Sequence, residues 1–295
     1  MLERLFDGTK KIINPQELIL RYLASGSIEE ANQELPQGKQ VTEGVYRKVL
    51  QDWGIVEYVG PERQYPEILY LLSELATRKV SLGSIYVRRP LIFEVSFKTF
   101  KDVVNRIREG TVLRAATALV LSPENDSKSI VVGEDFSVPR EELGKLKGAF
   151  TVPECFSRPK EDPRASILRV FQREVFANLA AERKFNLGMV LMDRTPIGYV
   201  DVADVRVTCY RGTIPNELMG ELSSPTILRL GTRRLEDILS LRKGRLVRAG
   251  LPETITEYQR FLTSSSNFEP RVVTSQLNSE ITQMPIRMAP NWKLA

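Results

Sequence analysis

The sequence predicts an α/β sandwich in the middle of the chain, from about residue 111 to 265, preceded by a helical unit. Three short apolar segments separated by turns predict strands: ATALVLSP, SIVVGED and GAFTVP. They are followed by RASILRVFQREVFANLAAER, in which apolar residues recur at helical spacing. NLGMVLMD and GYVDVADVRVTCYRG predict further strands, and TEYQRFLTSS predicts a closing helix. Strands interleaved with one prominent helix are typical of an α/β sandwich.

The composition is that of a soluble globular protein. Of the 295 residues, 42% are hydrophobic and 27% are charged. No run approaches the roughly 18 apolar residues of a membrane span, so we expect no membrane partner. The first residues, MLERLFDGTKK, carry charges where a signal peptide has its apolar stretch, so we expect a cytoplasmic protein. The only cysteines, Cys155 and Cys209, form no CxxC pair, which argues against a disulfide framework and against a cysteine-based zinc site.

The chain contains no histidine. This excludes Ser-His-Asp and Cys-His catalysis in their usual forms, and every zinc site that needs an imidazole ligand. Any chemistry must therefore use carboxylates, Lys, Tyr, Ser or Thr, together with hard cations such as Mg²⁺. The net charge of +5 fits an anionic partner without requiring one.

Residues 1–65 predict three short helices and a hairpin. Asn14, Ser27 and Thr42 are placed as N-caps, and IVEYVGPERQY alternates around a Gly60-Pro61 turn. Three helices and a hairpin is the order of elements in a winged helix, which places its third helix in the DNA major groove. Residues 1–64 carry eight basic and ten acidic side chains, however, and a DNA-binding unit usually shows a basic face. A unit used for contacts with a protein partner, or for homo-oligomerisation, is therefore the open alternative.

Two groups of residues are candidates for nucleic-acid binding. In the helical unit they are Lys39, Tyr46, Arg47, Lys48 and Arg63. In the segment 229–248, seven basic residues stand against two acidic ones, and the candidates are Arg229, Arg233, Arg234, Arg242, Lys243, Arg245 and Arg248. The alternative for this second group is the solvated face of a helix, TRRLEDILSLRKG.

Two segments lie outside these units. Residues 66–110 predict a linking region with a helix, then an extended stretch over SIYVRRPLIFEVSF, then another helix. Residues 266–295 are polar and interrupted by proline, which predicts a tail that is ordered only against a partner or the domain surface.

The segment PECFSRPKEDPRASILRVFQREVFA carries a motif. From Glu161 a step of eight residues reaches Arg169, and the apolar Phe171 and the acidic Glu174 follow. This spacing resembles the Nudix box, G-x5-E-x7-R-E-U-x-E-E-x-G-U, where U is apolar. In that family the box is a loop–helix–loop that holds Mg²⁺ against a pyrophosphate, within an α/β/α sandwich. Pro153, at the end of the preceding strand, also matches the family's usual Pro-Gly-Gly.

The departures from the motif fall on the metal ligands. Cys155 and Phe176 replace glycines, whereas Val170 and Arg173 replace metal-binding glutamates. Positions 170, 173 and 174 share one helical face, so three carboxylates there would converge on a metal. Here the local charge changes from −3 to 0. Glu174 alone is a poor host for Mg²⁺, so we expect no cofactor. If the chain is active, Mg²⁺ is the implied cofactor and Glu174 the implied catalytic residue.

The resemblance implies a structural role for two of the box residues that are kept. Glu161 and Arg169 would pair and hold the loop to the helix. Arg173 and Glu174 would complete a ligand-binding set, because the Arg173 guanidinium can hold a phosphate with two parallel hydrogen bonds. The alternative is that Arg173 pairs with Glu174 or Asp162 on the surface.

Three functions remain open. The first is a non-catalytic binding protein, a nucleotide-sensing regulator that contacts nucleic acid or a protein partner. The second is an active Mg²⁺-dependent hydrolase of nucleoside-diphosphate-linked substrates. The third is a structural subunit of a larger assembly.

Overall fold

The structure is a computed structural model that describes residues 14–58, 82–88, 96–98, 101, 105, 109, 112, 114–137, 139, 145–158, 160–241, 247–264 and 268–283. The helices in this part are α1 (Pro15–Ser25), α2 (Ile28–Gln33), α3 (Glu43–Asp52), α4 (Leu82–Arg88), α5 (Pro163–Val170), α6 (Ala177–Ala181), α7 (Leu235–Ser240), α8 (Leu251–Thr263) and α9 (Gln276–Gln283). The strands are β1 (Arg114–Pro123), β2 (Ser129–Asp135), β3 (Ala149–Thr151), β4 (Glu154–Ser157), β5 (Leu191–Met192), β6 (Gly198–Val202), β7 (Val205–Ile214), β8 (Ile227–Arg234) and β9 (Val272–Thr274). A π-helical turn covers Phe171–Val175, and 3-10 turns cover Leu187–Met189 and Asn216–Glu221. None of the helices described is long and apolar enough to cross a membrane.

The three N-terminal helices begin where the sequence predicts. Asn14 accepts a hydrogen bond from the Gln16 N–H, Ser27 caps α2 and Thr42 caps α3 in the same way. Gly26 ends α1 in the left-handed conformation, with φ 76°. The hairpin of the winged-helix prediction falls largely on 59–65, outside the described residues, and 55–58 form no strand.

The larger sheet is mixed. Its strands run in the order β4-β1-β7-β6-β9, and β5 pairs with β7. The central pair, β1 with β7, is parallel over ten residues, and β6 pairs with β9 in parallel over three. The remaining pairs are antiparallel.

Alternation along β1 places helices on both faces of this sheet. Leu119 and Leu121 pack into one core with α5 and the π turn. Ala118 and Val120 face the opposite core, which contains Ile255 of α8. Because successive strand residues point to opposite faces, one strand joins both cores. The predicted α/β/α sandwich is therefore confirmed.

The smaller sheet corrects one prediction. It is antiparallel in the order β3-β2-β8, and β8 extends to Arg234. The alternative interpretation of residues 232–244 was the solvated face of one helix, but residues 232–234 belong to β8 and helix α7 begins only at Leu235. The reason is cross-strand pairing, because residues 129–132 of β2 pair with residues 231–234 of β8 in continuous antiparallel register. A bulge follows, in which Arg229 has φ 52°.

Two further segments differ from expectation. Leu82–Arg88 forms helix α4 rather than an extended stretch, because Leu82 and Tyr86, four positions apart, both face the core. Within the expected tail, Val272–Thr274 adds strand β9 to the larger sheet beside β6. The domain surface therefore orders this part of the tail, and the sheet extends beyond residue 265.

Candidate functional site

The loop before α5 is fastened to the helix by an ion pair. Asp162 caps the helix and Pro163 begins it. The Arg169 Nη1 donates to Glu161 Oε2 at 2.8 Å, and Nη2 donates to Oε1. Burial alone would raise the pKa of Glu161, but the hydrogen bonds and charge of Arg169 lower it below its ordinary value. The predicted pairing of Glu161 with Arg169 is confirmed.

The helix does not continue unbroken through the motif. After Val170 the backbone widens into the π turn, in which the Phe176 N–H donates to the Phe171 carbonyl at 2.8 Å. Helix α6 then starts at Ala177, whose N–H donates to the Ser223 carbonyl at 3.0 Å. The single helix expected over residues 164–183 is thus two helices around a π turn. Phe176, where the motif has glycine, is fully buried and stacks on Phe171 with ring centroids 6.0 Å apart.

Glu174 lies inside this turn, and its carboxylate is surrounded by donors. Oε1 accepts from Arg173 Nε at 3.0 Å and from the Cys155 thiol at 3.8 Å. Oε2 accepts from Ser224 Oγ at 3.1 Å and from the Thr226 hydroxyl. Glu174 is buried, and both oxygens are used within the protein. Burial raises the pKa of Cys155, and the Glu174 charge raises it further, so this thiol remains protonated.

These residues do not fit a divalent metal. Val170 is fully buried in an apolar core, and Arg173 brings a positive charge to the position of the second ligand. Glu174 has donors on both oxygens, whereas Mg²⁺ needs several oxygen ligands in a near-octahedral arrangement. Across the residues that the structure describes, no group of three or more Cys, Asp or Glu side chains could hold a metal ion.

Arg173 is bound inside the protein. Its Nε pairs with Glu174, its Nη2 donates to the Ala24 carbonyl at 3.2 Å, and its guanidinium lies 4.1 Å from the centre of the Tyr58 ring. The side chain is 9% exposed. Of the two alternatives for Arg173, the structure shows the pair with Glu174, in the interior rather than on the surface. Burial alone would lower the pKa of Arg173, but the Glu174 charge opposes this and the net shift is upward.

The N-terminal unit, residues 14–58, packs against α5, the π turn and α6, which are together called the box helix below. The Gln172 amide accepts from the Val56 N–H at 2.9 Å and donates to the Gly54 carbonyl at 2.8 Å. Arg169 Nε donates to the Glu57 carbonyl at 2.7 Å, and the Trp53 indole donates to the Ala181 carbonyl at 2.9 Å. Apolar residues of all three N-terminal helices share a core with α6. This contact is absent from the sequence-based expectation, because it joins residues more than 100 positions apart.

A second cluster of buried charges lies between the two sheets. The Arg248 guanidinium binds Asp135 Oδ2 at 3.1 Å and also Glu154, and Lys145 Nζ lies 3.5 Å from Asp135. Burial, followed by the Arg248 charge, lowers the pKa of Lys145. Burial raises the pKa of Glu154. Two acids and two bases balance, so the cluster presents no net charge to a ligand. Only Arg248 was among the sequence candidates, since nothing in the spacing of the other three marks them as a group.

The candidates for nucleic-acid binding in the N-terminal unit differ in their exposure to solvent. Lys39 and Lys48 are exposed. Arg47 is exposed but binds Glu43 and Glu57, both at 2.8 Å. Tyr46 is fully buried and donates its hydroxyl proton to the Leu18 carbonyl at 2.5 Å, so it is a core residue and not a surface contact. Arg63 lies outside the described residues.

The basic residues of the segment 229–248 fall into three sets: exposed, outside the described residues, and buried. Arg229, Arg233 and Arg234 are exposed on β8. Arg242, Lys243 and Arg245 lie outside the described residues. Arg248 belongs to the buried cluster and is not available on a basic surface, which corrects its assignment to the candidates for nucleic-acid binding. Arg229 binds Glu134 at 2.8 Å, and Arg233 lies 5.0 Å from the centre of the Phe150 ring.

Comparisons with known proteins give structural matches only. No family profile matches the chain, and no curated protein is similar to it. An Ap4A hydrolase from C. elegans is 13% identical, with a TM-score of 0.36, and the match covers 51% of this chain and 98% of that chain. An ADP-ribose pyrophosphatase from Streptococcus suis is 12% identical, with a TM-score of 0.35, and the match covers 54% and 98%. A MutT protein from Methanosarcina mazei is 12% identical, with a TM-score of 0.36, and the match covers 52% and 98%.

The likeness to the Nudix fold rests on the chain's own geometry: a loop and helix joined by Glu161 and Arg169, set against one face of a mixed sheet. The chain therefore has a Nudix-like fold.

Proposed function

We propose that this chain is a non-catalytic, Nudix-like binding protein whose partner carries phosphate, as a nucleotide or as nucleic acid. The absence of catalysis is inferred from the hydrogen bonds of the Glu174 carboxylate. Its two oxygens accept from Arg173, Cys155, Ser224 and Thr226, so they are not free to bind a metal. Without a metal, the site lacks both a Lewis acid and an activated water.

The proposed phosphate-binding surface is the edge of β8 opposite β2. Arg229, Arg233 and Arg234 lie there within six residues, and β8 pairs only with β2 in the described part of the chain. Guanidinium groups bind phosphate in a bidentate manner and remain charged at every physiological pH. Arg229 and Arg233 are already held in place by Glu134 and Phe150, which reduces the conformational entropy lost on binding. Arg173 contributes nothing to this surface, because its guanidinium is bound internally.

Salt dependence of binding tests the proposed surface. Each phosphate contact that is lost should reduce the slope of log affinity against log salt concentration by about 0.7 to 0.9. Replacing Arg229, Arg233 and Arg234 by Ala should therefore flatten the salt dependence for single- or double-stranded oligonucleotides by about two to three units. The matched control replaces Arg242, Lys243 and Arg245, the other half of the basic segment.

The outcomes of this comparison are distinct. If only the control triple changes the slope, the phosphate contacts lie on 242–245 and the β8 assignment is wrong. If the parent binds neither oligonucleotides nor ADP-ribose at low salt, the phosphate-bearing partner is wrong. The role as an assembly subunit is then the better account.

Hydrolysis assays test the absence of catalysis. With Mg²⁺ or Mn²⁺ we expect no turnover of ADP-ribose, dinucleoside polyphosphates or nucleoside triphosphates. A trace of activity can arise from a contaminating enzyme, so Glu174→Gln is the control. Metal-dependent turnover that disappears in Glu174→Gln would make the chain an active hydrolase and would overturn the proposal.

A further inference from the structure

Arg173 supplies a positive charge to the C-terminal end of α1, a helix that is distant from it in the chain. The last turn of α1 contains no basic residue, although the C-terminal carbonyls of a helix carry partial negative charge. Arg173, 149 positions later, donates from Nη2 to the Ala24 carbonyl in that last turn. A positive charge thus reaches the negative end of α1 from the box helix.

The approach of the two elements is very close. A Cβ at Gly26 would lie 2.5 Å from Arg173 Nη1 and 2.7 Å from Tyr58 Cδ1, which are distances that real contacts do not show. Nη1 itself makes no hydrogen bond to any residue that the structure describes. The guanidinium lies 4.1 Å from the centre of the Tyr58 ring, and this cation–π contact stabilises the charge in a buried place. Gly26 therefore permits the guanidinium to lie directly against the end of α1.

On the side away from α1, polar contacts connect Arg173 to the smaller sheet. Arg173 binds Glu174, and Glu174 binds Ser224 and Thr226, which directly precede β8. An isolated charge in this interior would cost several kcal/mol, so both side chains depend on their pairing. The result is one continuous path of polar contacts: Ala24, Arg173, Glu174, Thr226.

We propose that Arg173 is a fixed internal cation that stands in place of the box metal and fastens the N-terminal unit to the box helix. The guanidinium places a positive charge against the buried Glu174 carboxylate, with Nε 3.0 Å from Oε1. It also joins the box to the carbonyl end of α1, through the hydrogen bond from Nη2 to the Ala24 carbonyl. The face that the family uses for metal is, in this chain, an intramolecular docking surface. This inference does not depend on the identity of any external partner.

Tryptophan fluorescence can report on this docking directly. The chain has two tryptophans, Trp53 and Trp292, so Trp292→Phe leaves Trp53 as the single reporter. The Trp53 indole binds the Ala181 carbonyl on the box side of the contact. In this background, Arg173→Glu places a second carboxylate beside Glu174 and the Ala24 carbonyl. We expect the Trp53 emission maximum to shift to longer wavelength, towards its value in urea.

The matched control is Arg164→Glu, which makes the same charge change at an exposed position of α5, the helix that leads into the π turn of Arg173. It should leave the Trp53 emission unchanged. If Arg173→Glu behaves as Arg164→Glu does, the proposal is wrong. If Arg173→Glu does not fold, Arg173→Lys and Arg173→Met decide the matter. Lys keeps the charge and Met does not, so Lys should retain a higher thermal midpoint, and a midpoint for Met equal to or above that of Lys would contradict the role of the charge.

The unmodified chain gives a second, independent readout. With Arg173 as its cation, the parent protein should have the same thermal midpoint in EDTA and in millimolar Mg²⁺ or Mn²⁺. A midpoint that falls in EDTA and is restored by the metal alone would show that a metal, not Arg173, supplies the charge. That result would overturn the inference even if the Trp53 experiment succeeded.

Discussion

Replacing Gly26 by alanine tests the contact between α1 and Arg173 with the smallest possible change. Gly26 has φ 76°, a conformation that alanine adopts at a cost of about 1–2 kcal/mol. The added Cβ would also lie 2.5 Å from Arg173 Nη1, so the guanidinium and the Tyr58 ring must move. Overpacking of this kind costs about 1–3 kcal/mol. We therefore expect Gly26→Ala to lower the free energy of unfolding by about 2–5 kcal/mol.

Two other glycines separate these contributions. Gly54 has φ 66° but no atom within 4 Å of an added Cβ, so Gly54→Ala reports the backbone cost alone. Gly44 lies inside α3 with open space around it, so Gly44→Ala should stabilise the helix by up to about 1 kcal/mol. The difference between the Gly26 and Gly54 variants is the packing cost of the contact with Arg173.

The assay is urea unfolding followed by circular dichroism, with Trp53 fluorescence recorded on the same samples. We expect the order of stability Gly44→Ala, parent, Gly54→Ala, Gly26→Ala, from highest to lowest. The reasoning is refuted if Gly26→Ala is no less stable than Gly54→Ala. The space between α1 and the box helix would then be larger than the structure shows.

The remaining predictions concern the buried polar groups of the box. Glu161→Gln should cost about 1–3 kcal/mol at pH 7, because it removes the carboxylate charge that faces buried Arg169. Since the pKa of Glu161 is lowered in the folded protein, its contribution is present above the ordinary pKa and is lost as pH falls. The parent should approach the variant in urea midpoint between pH 5 and about 3, and parallel pH profiles would contradict this. Thr226→Val should cost about 1–3 kcal/mol by removing a donor to Glu174, whereas Thr256→Val, at an exposed helix position, should change the urea midpoint little. Burial raises the pKa of Cys155, and burial raises the pKa of Cys209 to about 12. Neither thiol should therefore react with a disulfide reagent at pH 8 before the protein unfolds. Rapid labelling of the native protein would show that the cores around these two residues are open.

Much of the fold could be predicted because its signals are local. The helix caps at Asn14, Ser27 and Thr42 depend on one side chain and its next few backbone groups, and all three are formed. The buried strands of the sandwich follow from apolar runs. The pair of Glu161 with Arg169 follows from one interval within a motif, and it is present.

The remaining features depend on contacts between distant segments. Residues 232–234 of β8 fell within the helix-face alternative because their composition is compatible with either structure, and pairing with β2 decides between them. The break at Phe176 requires Ser223 to take up the free backbone groups, which the local pattern cannot indicate. The burial of Arg173 depends on the α1 carbonyls and on Tyr58, more than 110 residues away. The motif thus predicted the pair of Glu161 with Arg169 correctly, but tertiary packing determined which partners the other residues of the segment have.

Binding of Mn²⁺ to the full chain, followed by electron paramagnetic resonance, tests the central claim most directly. Mn²⁺ is a suitable probe because carboxylate sites that take Mg²⁺ also take Mn²⁺. The parent and Glu174→Gln are titrated under the same conditions, so that weak surface binding cancels in the comparison. Since Glu174 is already bound to Arg173, Ser224 and Thr226, we expect the two binding curves to coincide. A Mn²⁺ site that is present in the parent and lost in Glu174→Gln would show that the box still binds metal, and would contradict the account.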